Sequence, residues 1–113
     1  MGLSLVPDDQ LAAVVTSLEM TARPLPQPLP ESPLRLTRWA EPSLDKYRAL
    51  FRRVGAPWLW FSRLVIADEA LSAIVNNASV DVYAAVDRAG LEVGMLELDF
   101  RAEGQCEIAY LGL

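Results

Sequence analysis

Two stretches hold the side chains best placed to do chemistry. Ala56 to Arg63 (APWLWFSR) sets Trp58, Trp60 and Phe61 within four residues and closes on Arg63. A flat apolar wall beside a guanidinium suits a small apolar molecule bearing a carboxylate, which Arg63 could hold as a bidentate pair. The same residues can also be read as a cover over a sheet, with Arg63 paired to a nearby acid. The second stretch is Gln105 to Leu113 (QCEIAYLGL). It alternates polar and apolar through Gln105-Cys106-Glu107-Ile108, as a half-buried strand does, and then runs on to an apolar end. Such a strand is expected to present an open edge that recruits a second chain, a copy or a complementary half, against residues 105–113.

Composition narrows the chemistry. The chain has 113 residues, 52% of them hydrophobic, and a formal net charge of -5. That length bounds it to one domain with a tail, and that apolar content excludes disorder throughout. It contains no histidine, which removes the usual neutral-pH base and the commonest metal ligand, so no metal site is expected. The negative balance argues against nucleic acid or an anionic membrane as partner. Arg48, Arg52 and Arg53 read as a solvated helix face. The single cysteine, Cys106, cannot form an internal disulfide and reads as a small buried residue in a reducing compartment. The amino terminus lacks the pattern of a signal peptide, and no run reaches the roughly 18 apolar residues of a membrane span. A cytoplasmic location is the expectation.

The elements that must position these residues follow in order. Asp8 or Asp9 can cap a helix with Leu11, Val14, Val15 and Leu18 on one face, so residues 1–23 are expected to hold an amino-terminal helix. Pro24, Pro26, Pro28, Pro30 and Pro33 make residues 24–33 an extended linker, and the domain proper is expected over 34–113. Leu34 to Trp39 alternates as a first strand. Ser43 caps a helix whose stripe is Leu44, Tyr47, Leu50, Phe51 and Val54, with Gly55 expected just past its end in the left-handed conformation. The aromatic segment is expected to be a loop or irregular turn. Asp68 is expected to cap a further helix carrying Leu71, Ile74 and Val75. A meander of three strands follows, over Val80 to Val86, Leu91 to Phe100 and Gln105 to Leu113. The alternation slips at Gly94, which is a β-bulge signal. The fold class expected is α+β, in the order β-α-α-β-β-β, with a mainly antiparallel sheet.

That order resembles the amino-terminal half of the Gcn5-related N-acetyltransferase (GNAT) fold, over roughly Leu34 to Leu113. LRLTRWAEPSLDKYRALFRRVG, PWLWFSR, GLEVGMLELDF and CEIAYLGL carry the likeness. The resemblance implies transfer of an acetyl group from acetyl-CoA to an amine substrate. It also implies that a Gly-rich loop after the fourth strand holds the cofactor's pyrophosphate at a helix N-terminus. No such loop occurs in these residues, so the chain alone is expected to be inactive, with an incomplete acetyl-CoA site. By position, Glu107 would take the proton from the amine. Tyr110 would stand near the acyl-transfer centre, unless it is a core residue on the Cys106/Ile108 face. The backbones of Leu111 and Leu113 would meet the cofactor's amides, and Trp58, Trp60, Phe61 and Arg63 would form the acceptor wall. The other expectation is a non-catalytic α+β module that associates through its last strand.

Overall fold

The computed structural model describes residues 2–113, and the chain divides at Pro30. Up to Pro30 the backbone forms only a turn at Asp8-Asp9, closed by the Gln10 N–H on the Pro7 carbonyl at 3.0 Å. The helix expected over 8–23 does not form. Its would-be stripe, Leu11, Val14, Val15 and Leu18, is exposed throughout. A lone helix of this length is marginal without a surface to bury its stripe, and the β-branched run Val14-Val15-Thr16 weakens it further. The proline-rich residues carry no regular element.

Glu31 to Leu113 forms an α+β unit built on a four-stranded antiparallel sheet. The strands are β1 (Arg35–Trp39), β2 (Val80–Val86), β3 (Glu92–Asp99) and β4 (Glu107–Gly112), paired in that order across the sheet. Between β1 and β2 run α1 (Leu44–Gly55), a 3-10 turn (Ala56–Trp58), α2 (Ser62–Val65) and α3 (Asp68–Val75). The Ser43 hydroxyl accepts from the Lys46 N–H at 3.2 Å, satisfying one of the orphan donors at the start of α1. The α1 stripe packs on the sheet: Tyr47, Leu50, Phe51 and Val54 are buried against Val80, Val82, Ala84 and Met95. Arg48 departs from the expected solvated face. It donates to Asp68 at 2.5 Å and to the carbonyls of Ile66 and Arg63 at 2.9 and 3.3 Å, tying α1 to α2 and α3.

Three boundaries differ from the sequence reading. Gly55 is the last residue of α1 at φ -87°, not a left-handed cap, because the chain continues directly into the 3-10 turn. The left-handed residue is Leu59, at φ 59°. Gly55 is needed for a close approach instead, since an added Cβ would come within 2.6 Å of the Trp60 ring. Ala67, with no side-chain hydrogen bond, precedes α3, and Asp68 falls inside its first turn, where the helix dipole favours a carboxylate. β4 starts at Glu107, and Cys106 before it is exposed, as are the first two residues of the strand.

The two register slips decide which side chains meet. Ala85 pairs Gly94 and Val86 pairs Glu92, so Val93 is the extra residue, next to the glycine where the alternation breaks. A second slip lies on β4: Glu97 pairs Tyr110 while Leu98 pairs Ile108, which leaves Ala109 without an opposite number. A bulge reverses the facing of everything beyond it. Tyr110 therefore shares a face with Glu107 and Glu97, and not with Ile108 as strict alternation implied.

Candidate functional site

The centre of the helix-covered face holds a carboxylate. Glu97 is wholly buried, the one buried charged side chain among the described residues. Its position on β3 follows from register: Met95, Glu97 and Asp99 stand opposite Ala84, Val82 and Val80, under α1. Two donors compensate it. The Tyr47 hydroxyl, from the middle of α1, donates to Glu97 Oε1. Arg63, from α2, donates to Oε2 at 2.8 Å. A buried carboxylate without such partners would be prohibitively desolvated, so the three residues hold together as one unit.

The ionisation of the partners follows from this geometry. Burial, reinforced by the neighbouring Glu97 carboxylate, pushes the Tyr47 phenol far above its ordinary value of 10.0, so it remains a proton donor. Burial works against the charge on Arg63, but the hydrogen bond and attraction of Glu97 outweigh it and raise its pKa further. Arg63 Nε is buried with no partner, so Glu97 engages only one edge of the guanidinium.

Around this unit lies an aromatic layer. The Arg63 guanidinium carbon sits 5.2 Å from the Tyr110 ring centre. Trp60 packs at 5.0 Å from Tyr110 and 5.5 Å from Phe51, and Phe51 meets Tyr110 edge-on at 4.9 Å. The indole lies so close to the end of β4 that a Cβ on Gly112 would come within 2.9 Å of it. The Ser62 and Tyr110 hydroxyls share a hydrogen bond, which fastens the start of α2 to β4.

The residues singled out from sequence are thus divided. Trp60, Arg63 and Tyr110 come together. Trp58 and Phe61 are exposed on the same segment, outside that cluster. Glu107 is exposed at the start of β4, opposite Asp99, in a shallow depression shared with Arg101 and Gln105. There the hydrogen bond from Arg101, at 2.7 Å, holds the Asp99 carboxyl below its usual range. Leu111 and Leu113 are exposed, and Leu111, like Ile108, faces away from the helices.

Tyr47, Ser62 and Glu97 were missed. Glu97 lies between Leu96 and Leu98, so simple alternation hands the buried face to the leucines and the solvent to the acid. A signal was present in Tyr47, since a tyrosine in a buried helix stripe needs a partner for its hydroxyl.

No group of three or more metal-ligating side chains occurs among the described residues, and no helix among them is long and apolar enough to cross a membrane. Comparison of the chain with protein-family models, with curated proteins and with solved structures finds no match.

Proposed function

We propose that the α+β unit is the amino-terminal half of a GNAT-type enzyme that transfers an acetyl group from acetyl-CoA to a small amine. The observation that carries this reading is the bulged edge strand β4. It pairs only with β3, and its unpaired residue Ala109 lies directly before Tyr110, whose hydroxyl meets Ser62. A bulge interrupts the ladder and frees main-chain N–H and C=O groups, which suit the amides of a pantetheine arm. The run of one strand, helices and three further strands supports the likeness, with the short helix α2 as an addition to the expected β-α-α-β-β-β order, and so does the aromatic segment beside β4.

In this reading the backbone of Ala109, Leu111 and Leu113 would hold the acyl end of acetyl-CoA, which supplies the activated acetyl thioester. The donor set fits that end alone, because the chain has no Gly-rich phosphate loop for the pyrophosphate. Tyr110 borders the reacting atoms. Glu107, on the same face and open to solvent, would accept the amine's proton through water. Trp60, with the exposed Trp58 and Phe61, lines the acceptor side. Such an enzyme would act in the cytoplasm, in keeping with its exposed unpaired cysteine.

Titration of acetyl-CoA into the isotope-labelled protein tests the assignment. Amide resonances of Ala109 to Leu113 should move, while those of β1 stay in place. Shifts confined to other strands at millimolar cofactor would remove the acetyltransferase reading.

A second reading, association without catalysis, has its own observation. Leu36, Ile108 and Leu111 lie on the face away from the helices and remain 58%, 59% and 63% exposed. A second chain pairing against residues 105–113 would extend the sheet at β4 and flank Ile108 and Leu111, whereas Leu36 stands on β1 at the other edge. Sedimentation equilibrium reads this directly as a concentration-dependent mass.

A further inference from the structure

We infer that Glu97 is a specificity-determining residue: it withdraws Arg63 from the acceptor wall, so that the wall takes amines with an apolar body and no carboxylate. This rests on the acceptor assignment just made and refines its substrate class. The sequence expectation was the opposite, with Arg63 clamping a substrate carboxylate.

Three observations carry the inference. Arg63 is already committed, at 2.8 Å, to a carboxylate that is itself wholly buried. A substrate carboxylate could recruit that edge of the guanidinium only by stranding Glu97 without its countercharge, which buried acids do not tolerate, and the unpartnered Nε is itself buried and closed to a ligand at the surface. Second, Arg63 is the only charged residue between Ala56 and Ile66, so its neutralisation leaves the segment without a free charge. Arg48, which donates to the Arg63 carbonyl, is also engaged by Asp68 and by the Ile66 carbonyl. Third, what the segment does present is apolar. Trp58, Leu59, Phe61 and Val65 are each between 64% and 70% exposed. Leu59 holds a left-handed backbone that a leucine adopts only at a cost. Apolar surface of this kind, on a chain of net charge -5, complements a cationic amine on a hydrophobic body.

Glu97 touches no substrate in this account. It acts through Arg63 as a positioning residue, and its signature is a change of preference between ligands with and without a carboxylate. The test uses matched pairs that differ only in the carboxylate: 2-phenylethylamine against phenylalanine, and tryptamine against tryptophan. Binding is followed by the indole resonance of Trp58 and the ring resonances of Phe61, without acetyl-CoA, so the result does not depend on catalysis. The amine of each pair should bind at least tenfold more tightly than the amino acid. In Glu97→Gln, which keeps an acceptor for Tyr47 but frees the guanidinium, the ratio should fall at least fivefold. Replacing the whole pair, Arg63→Met with Glu97→Met, should restore the tenfold preference and covers the case in which the single variant does not fold. Equal or tighter binding of the amino acids to the unaltered protein would overturn the inference. So would an unchanged ratio in a folded Glu97→Gln, loss of the preference in the double variant, or amines that leave Trp58 and Phe61 unperturbed. The acetyl-CoA titration above reads the acetyltransferase assignment separately, so the two can fail independently.

Discussion

Glu97 and Glu107 stand on adjacent antiparallel strands, on the same face of one sheet, in opposite surroundings. Glu97 lies at the middle of β3 beneath α1, closed off from water and held by Tyr47 and Arg63. Glu107 lies where β4 begins, beyond the helices, and is exposed. The same carboxyl group is a structural centre in one region and a free surface acid in the other. What separates them is two positions along the sheet and whether a helix lies overhead. A buried acid ties elements together because each donor it needs must come from one of them. Here α1, α2 and β3 are joined through a single side chain.

The contrast can be broken in graded steps. Glu97→Ala leaves Arg63 without a countercharge and removes the acceptor for Tyr47, so it should cost about 3–5 kcal/mol of stability. Urea denaturation monitored by tryptophan fluorescence measures this. Tyr47→Phe keeps the ion pair but strips one hydrogen bond from Glu97, with an expected loss of about 1–3 kcal/mol. The pH dependence sharpens that second step. Because the folded phenol is raised above 10.0, its contribution is complete below that value and is lost as pH climbs through the higher folded value. Stability of the unaltered protein should therefore decline above about pH 10, and Tyr47→Phe should flatten that decline. At the small end, Glu107→Ala should change stability by less than about 0.5 kcal/mol, as surface substitutions do. A loss there comparable to that of Glu97→Ala would erase the distinction.

Much of the scaffold was legible because its signals are local. The Ser43 cap, the stripe from Leu44 to Val54, the three meander strands and the slip at Gly94 each declare themselves within a few residues. The amino-terminal helix was misread for the converse reason. Its stripe is present, but a stripe needs a surface to bury against, and that is a property of the fold. The site was only half legible. Trp60, Arg63 and Tyr110 stood out by type, and the structure brings them together. The partner of Arg63 depended on the facing of β3, and the facing of Tyr110 on a bulge at Ala109 that no glycine marks. The leucines beside Glu97 pointed the wrong way, because their face of the sheet carries no helix in this chain.

The central claim is that Glu97, not Glu107, organises the side chains of the candidate site. Its most direct test compares Glu97→Gln and Glu107→Gln by the indole resonance of Trp60 and the ring resonances of Tyr110. The account predicts that Glu97→Gln shifts both, because Arg63 and α2 lose their anchor beneath the aromatic layer, and that Glu107→Gln leaves both where they were. Shifts on Glu107→Gln with none on Glu97→Gln would contradict it.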